Sequence, residues 1–174
     1  MVVALRRISL ALILAAGFLI VAGAGNAPRV YRNEAMRVRA FEAPAGWELA
    51  PQSSYPRLLA SYSHHEGGKL TLSAQKVPPG TTSMDLAEQS RIPLQKQGFT
   101  ALRVHADGSR ARLEADLDGG KRFIKQLYVV EGGIGYVVTM IGPLHALSRM
   151  AADYEESLKS LQVGGDALDA GVAR

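Results

Sequence analysis

The sequence contains no cysteine, and that absence excludes several kinds of protein. Without thiols there is no disulfide framework, no thiolate zinc site, no cysteine nucleophile and no lipid-carrying cysteine of a bacterial lipoprotein. The folded chain must therefore be stabilised by its hydrophobic core. A mature chain of about 150 residues can do this, because domains of that size bury roughly 68 to 70% of the surface that the unfolded chain exposes.

The motifs of several enzyme classes are also missing. The chain has no G-x-S-x-G, no H-E-x-x-H and no G-x-x-x-x-G-K-[ST], so a nucleophile elbow, a zincin and a P-loop have no support. The run GGIGYV at residues 132–137 approaches a dinucleotide fingerprint, but it lacks the third glycine and opens a strand where a helix is needed. We therefore predict no enzyme, no cofactor and no catalytic, cofactor-binding or metal-binding residue.

The chain also has only a small excess of positive over negative charge. The chain has 20 Lys plus Arg against 16 Asp plus Glu, and removal of Arg6 and Arg7 with an N-terminal signal leaves 18 against 16, or +2. No dense basic helix is present, so we expect no nucleic-acid partner.

What the N-terminus does have is the layout of a secretory signal peptide. Arg6 and Arg7 precede an uncharged apolar run at residues 8–24, which ends in small residues. We expect residues 1–24 to be the signal peptide and the mature chain to start at Gly25. This predicts export to the periplasm or the extracellular space.

Two alternatives stay open at this end. Cleavage after Ala27 also fits the small residues, although Pro28 would then follow the scissile bond. Residues 1–24 could instead stay as an uncleaved inner-membrane anchor, since a span needs about 20 apolar residues and a signal core roughly 7 to 15. By the positive-inside bias, the four arginines that follow would then keep the domain cytoplasmic: Arg29, Arg32, Arg37 and Arg39. The same arginines could instead contact anionic lipid, or form an exposed leader that runs from residues 25–35 into the first strand.

The first half of the mature chain predicts three strands and a helix. A strand at residues 36–41 is followed by Trp47, which we interpret as a core residue. The runs RLLASYSHH and KLTLSAQKV form a hairpin with a two-residue loop at Gly67-Gly68, a register that pairs Glu66 with Lys69, His65 with Leu70, His64 with Thr71 and Tyr62 with Ser73. A helix over residues 84–97 is capped by Thr82 with Asp85, kinked or split at Pro93, and ended by Gly98.

The second half predicts a four-strand antiparallel meander and a final helix. Glycine-containing turns separate FTALRVHA, SRARLEADL, KRFIKQLYVVE and IGYVVTMI. In the second of these the apolar residues lie on one face, whereas LYVV and YVVTMI are apolar on both faces and predict central strands. After Pro143 one apolar stripe indicates a helix: Leu147, Met150, Ala151, Tyr154, Leu158 and Leu161.

These elements predict the fold class. We expect a single α+β domain at residues 36–163, with a mostly antiparallel sheet of about six or seven strands flanked by two main helices as an α/β/α sandwich, and a mobile tail at 164–174. Five segments together resemble the PsbP-like superfamily, which includes DcrB-type envelope proteins: FEAPAGW, LLASYSHHEGGKLTLSAQ, TSMDLAEQS with QKQGF, KQLYVVEGGIGYVVTM and YEESLKSL. The resemblance implies a domain that binds or assists other proteins without catalytic apparatus.

Two residue clusters are the candidates for metal chemistry. His64, His65 and Glu66 adjoin a hairpin turn, but successive strand residues point to opposite faces, so we do not expect both histidines to bind one ion. A carboxylate row could bind calcium or form an acid-base pair, yet Arg110 and Arg112 continue its face and Lys121 is expected to pair with Asp118, which favours a solvated strand. This row consists of Glu114, Asp116 and Asp118.

The sequence therefore predicts an exported, non-enzymatic binding or accessory domain at the bacterial cell envelope. It would act on another envelope protein or a small ligand, and would touch membrane only through an uncleaved N-terminal segment. The alternative is a metal-dependent protein or enzyme that uses His64, His65, His105 or His145 with nearby carboxylates. A smaller third possibility is a structural protein of the inner membrane that is retained by that segment.

Overall fold

The computed structural model describes residues 30–50 and 57–164. The predicted signal peptide at 1–24, Arg29 and residues 165–174 of the predicted tail lie outside these ranges. No helix in the described ranges is long and apolar enough to cross a membrane. The strands are β1 (Val30–Asn33), β2 (Val38–Glu42), β3 (Trp47–Leu49), β4 (Leu58–His64), β5 (Lys69–Lys76), β6 (Thr100–Asp107), β7 (Arg110–Leu117), β8 (Arg122–Glu131), β9 (Ile134–Pro143) and β10 (Gln162–Val163); the helices are α1 (Ser83–Lys96) and α2 (Leu147–Ser160), the latter preceded by a 3-10 turn at Leu144–Ala146.

The strands form one large and one small antiparallel sheet. The large sheet has seven strands in the order β3-β4-β5-β9-β8-β7-β6, and the small one has three in the order β1-β2-β10. The α+β class, the seven-stranded sheet and the four-strand meander are thus confirmed. The predicted strand at 36–41 is β2 and belongs to the small sheet, and the predicted leader at 25–35 contains β1.

Helix α1 begins and ends as the sequence predicts. The Thr82 hydroxyl accepts from the Asp85 amide at 3.1 Å while the Asp85 carboxylate accepts from the Thr82 amide at 2.8 Å, which completes a capping box. Gly98 takes a φ of +89° and the Phe99 amide donates to the Leu94 carbonyl, which is the left-handed C-terminal cap. Of the kink or split predicted at Pro93, the split is wrong, because the proline lies in the last turn of one continuous helix.

The two helices pack on opposite faces of the large sheet. Helix α1 covers one face near β6, β7 and β8, while α2 and the small sheet cover the other face, with Met150, Tyr154 and Leu158 of the predicted stripe buried. Strand β9 carries a glycine beneath each helix. A Cβ at Gly135 would lie 2.6 Å from Leu86 Cδ1 of α1, and one at Gly142 would lie 2.6 Å from Met150 Sδ of α2.

Candidate functional site

The sandwich leaves part of the large sheet without a helix, on the α2 side of β6 and β7. Side chains on this face alternate with the buried residues Ala111, Leu113 and Ala115 of β7, so the predicted wet face is confirmed. We call this surface the charged half-face, and it consists of Arg103, His105, Asp107, Arg110, Arg112, Glu114, Asp116 and Lys125.

Arg112 ties the charged half-face to helix α2. Its Nε donates to Asp107 Oδ2 at 2.8 Å, and its two terminal nitrogens donate to the Glu155 carboxylate of α2 at 2.5 and 3.1 Å. The Glu155 hydrogen bond, followed by the Asp107 bond and charge attraction, outweighs burial and raises the pKa of Arg112. A bidentate guanidinium to carboxylate pair fixes orientation as well as charge. Glu155 and α2 therefore border the surface.

A second cross-strand ion pair lies beside it. Lys125 Nζ donates to Glu114 Oε1 at 2.5 Å, and Arg103 lies 3.6 Å from the other oxygen of the same carboxylate. The hydrogen bond from Lys125 is the main cause of the lowered pKa of Glu114, so this carboxyl stays ionised at neutral pH. A cleft of about 70 Å³ lies between these groups and Leu147 of α2. The lysine that pairs with a carboxylate on this face is thus Lys125, whereas the sequence interpretation expected Lys121 to pair with Asp118.

The histidine hairpin differs from its predicted register. Ser63 pairs with Lys69 and Tyr62 with Leu70, and the His64 amide donates to the Gly68 carbonyl at 2.9 Å. The loop therefore spans residues 65–67, three residues with Gly67 at a φ of +85°, instead of the two predicted at Gly67-Gly68.

This longer loop brings the two histidines together. His65 lies beyond the end of β4, so it is not turned to the opposite face as predicted, and its ring centroid lies 4.2 Å from that of His64. The His64 ring is also 5.3 Å from the Trp47 ring, and His64 Nδ1 accepts from the Glu66 amide at 3.3 Å. Of the two ring nitrogens of His64, Nδ1 is thus engaged in the turn.

The surroundings of His64 form a tight corner between the hairpin and α2. Trp47, buried as predicted, donates its indole N–H to Asp153 Oδ2 at 2.9 Å, and Arg149 makes an ion pair with Glu66. Burial, followed by repulsion from His65 and Arg149, lowers the pKa of His64, and Asp153 opposes this only in part. His64 is therefore neutral at neutral pH, and the corner joins α2 to the sheet.

The remaining candidate ligands do not meet. His64 on β4 and His105 on β6 are five strands apart in the large sheet, a separation of about 24 Å at the usual strand spacing. His145 is exposed in the 3-10 turn after β9. Within residues 30–50 and 57–164, no three histidine, aspartate or glutamate side chains are grouped closely enough to hold a metal ion. The fold thus keeps His64 and His105 from acting together at one site.

The carboxylate row is likewise divided. Glu114 is used by Lys125 and Arg103, Asp116 lies opposite Phe123 and Thr100, and Asp118 has left the strand for the turn, with a φ of +56°. Their separation along the strand and turn leaves the row as the surface of a solvated sheet. The feature that the sequence interpretation missed is Glu155, whose signal was only its place beside the apolar stripe of α2.

Comparison with known proteins bears on this geometry. No protein-family model and no curated protein sequence matches the chain. The solution structure of cyanobacterial PsbP (CyanoP) from Synechocystis sp. PCC 6803 is similar over 83% of this chain and 98% of its own, with a TM-score of 0.54 and 11% identity. The fold is PsbP-like. A crystal structure of PA94, a Pseudomonas aeruginosa protein of unknown function, aligns over 79% of this chain and 97% of its own, with a TM-score of 0.46 and 13% identity.

The PsbP-like fold confirms the resemblance and the fold class inferred from the sequence. At 11% identity the similarity concerns architecture alone. The charged half-face, the corner at His64 and the cleft beside Leu147 therefore have to be judged by their own chemistry.

Proposed function

We infer that this chain is an exported, non-enzymatic accessory domain of the bacterial cell envelope, which works by binding another envelope protein through the charged half-face. The observation that carries the proposal is the construction of this surface. Its charges are exposed or half-exposed and of both signs, and most of them are held in ion pairs across the sheet or to α2: Arg103, Asp107, Arg112, Glu114 and Lys125. Ordered charges of both signs give an interface specificity, because a wrong partner meets like charges.

Three further observations support the proposal. The N-terminal sequence has the signal-peptide layout, which is the support for export. The PsbP-like fold is one that accessory and binding domains use, which supports a role without catalysis. Surface arginines make bidentate contacts at low entropic cost, and three of them lie on this surface: Arg103, Arg110 and Arg112.

Site-specific crosslinking tests the binding surface. Because the chain has no cysteine, a single introduced cysteine carries a photo-crosslinker at one place only. We expect Arg110→Cys in intact cells to capture one identified envelope protein, and the matched control Gln89→Cys, on the exposed side of α1, not to capture it. The purified pair should then lose at least tenfold in affinity on reversal of Arg110 to Glu. Equal capture from both positions, or unchanged affinity, would contradict the proposal.

Export is tested separately by the N-terminus of the native protein. We expect the sequence to begin at Gly25 in an envelope fraction. An intact Met1 would instead favour the retained anchor.

A further inference from the structure

Strand β6 ends the large sheet with its outer side unpaired by any other described strand. It is eight residues long, and six of these residues are exposed. A free edge of this kind presents a row of backbone amides and carbonyls that another strand can extend. The small sheet offers only shorter edges, of four residues in β1 and two in β10. The longest free edge in the described ranges thus adjoins the charged half-face.

The backbone pairing of β6 determines which groups point outwards. Asp107 and Arg110 flank the two-residue loop of the β6–β7 hairpin, and such a flanking pair exchanges both backbone hydrogen bonds. Every second residue back from Asp107 is therefore bonded to β7. The residues between them, Val104 and Ala106, turn their amides and carbonyls to the free side.

These outward residues restrict how a second copy of β6 can pair antiparallel with the first. Because hydrogen-bonded residues face each other, a register that pairs Val104 within this strand sets it opposite Val104 or Ala106 of the other copy. When Val104 lies opposite Ala106, Arg103 lies opposite Asp107 twice, once on each side of the twofold axis. When Val104 lies opposite Val104, Arg103 lies opposite His105. Charge complementarity selects the register with the two Arg103 to Asp107 contacts, since opposite charges across strands stabilise a pair.

The usual protections of an edge strand do not block this arrangement. A bulge interrupts β6 between Thr100 and Arg103, with Ala101 at a φ of +50°, but it precedes the segment that would pair. Charged residues discourage edge pairing when they repel, but in this register Arg103 faces Asp107 on each side of the axis, and His105 meets His105 of the other copy on the axis itself. On the opposite face the register sets Val104 against Ala106, so the same contact buries apolar side chains.

We propose that β6 pairs with β6 of a second copy of this chain, joining the two large sheets across a twofold axis. The two charged half-faces then form one continuous surface, made of β6 and β7 from both copies, with one α2 helix along each side. This inference rests on the proposed function and adds to it that the partner-binding surface is a groove completed by dimerisation. Isologous pairing of this kind closes as a dimer.

Sedimentation equilibrium of the purified mature protein tests the dimer. We expect a monomer–dimer equilibrium that Ala106→Pro weakens at least tenfold, because proline removes an outward amide and no hydrogen bond to β7. Circular dichroism and thermal unfolding check that this variant folds. A wild-type protein that stays monomeric to several hundred micromolar overturns the inference.

A charge exchange tests the register without proline. Arg103→Asp alone and Asp107→Arg alone should each lose the dimer, because like charges then meet across the axis. An equimolar mixture should regain it, since every acidic position of one subunit then faces a basic position of the other. Failure of the mixture to associate overturns the register. Capture of an envelope protein by Arg110→Cys alongside a monomeric wild type would leave the proposed function standing and remove the dimer alone.

Discussion

The two helices have the same length, 14 residues, and are held in place in different ways. The ends of helix α1 are determined by residues close in sequence, through the capping box of Thr82 with Asp85 and the left-handed cap at Gly98. Helix α2 has no side-chain hydrogen bond at its N-cap residue, Ala146. It is instead held by contacts with three residues that are distant in sequence, Trp47, Glu66 and Arg112.

The comparison shows which contacts hold the proposed binding surface in place. Helix α2 borders the charged half-face through Glu155, so the contacts that hold α2 also hold that border. Helix α1 packs on the other face of the sheet, and its first turn comes near this surface beside Arg110. Changes that loosen α2 should thus affect partner binding, and changes that loosen α1 should affect stability alone.

The largest expected effects come from the two glycines of β9. Gly142→Ala places a methyl group against the fully buried Met150 beneath α2, and Gly135→Ala places one against Leu86 beneath α1. Overpacking of this kind costs about 1 to 3 kcal/mol. We expect each variant to lower the free energy of unfolding by denaturant, and amide hydrogen exchange to rise in α2 for Gly142→Ala and in α1 for Gly135→Ala.

A compensating substitution provides the control. Met150→Ala makes room for the added methyl group, so the double variant Gly142→Ala/Met150→Ala should cost less than the sum of its parts. Leu86→Ala does the same for Gly135→Ala. Exchange that rises equally in both helices for both glycine variants would contradict the separate docking of α1 and α2.

These glycines also show why the sequence predicts the architecture better than the contacts. Alternation in β7 and the apolar runs of β8 and β9 identify the sheet, and the stripe after Pro143 identifies α2, because burial imposes those periods. A glycine in a strand can mark a bulge, a bend or the close approach of another group, and only the packing shows which of these applies. Strands as short as β1, β3 and β10, with two to four residues, have too few positions to show a period.

The histidine hairpin gives the sharpest case. Glu66-Gly67-Gly68 reads as a two-residue loop, yet only Gly67 takes a positive φ. Gly68 lies in the pairing region, opposite His64. It has to be glycine there because a Cβ would lie 2.7 Å from Met150 Cε and 3.0 Å from Trp47 Cη2. The second glycine is thus required by α2 and the tryptophan, 82 and 21 positions away by their residue numbers. That information is tertiary, and its omission shifted the predicted register.

A smaller effect is expected at the N-terminus of α1. Thr82→Ala removes the hydroxyl that accepts from the Asp85 amide, and loss of such a cap costs about 1 kcal/mol. Thr82→Ser keeps a hydroxyl and should restore most of the stability measured by thermal unfolding. Ser148→Ala, at the exposed start of α2, should change little, because that helix does not depend on a side-chain cap. A larger loss from Ser148→Ala than from Thr82→Ala would reverse the comparison.

The smallest effect is a pH dependence at the corner that joins α2 to the hairpin. The folded state lowers the pKa of His64 below its ordinary value near 6.5 through burial and the neighbouring His65 and Arg149, which outweigh Asp153. The unfolded chain therefore takes up a proton at higher pH than the folded one, so this contribution to stability is complete above about pH 7 and declines as the pH falls through 6.5 towards the folded pKa. We expect His64→Phe, which keeps an aromatic ring against Trp47, to flatten the fall in melting temperature between pH 7 and 5. His145→Asn, which removes an exposed histidine outside the corner, controls for the loss of one histidine. If His64→Phe leaves the slope unchanged, or if nuclear magnetic resonance places the His64 pKa above 6.5, protonation at this corner does not loosen α2.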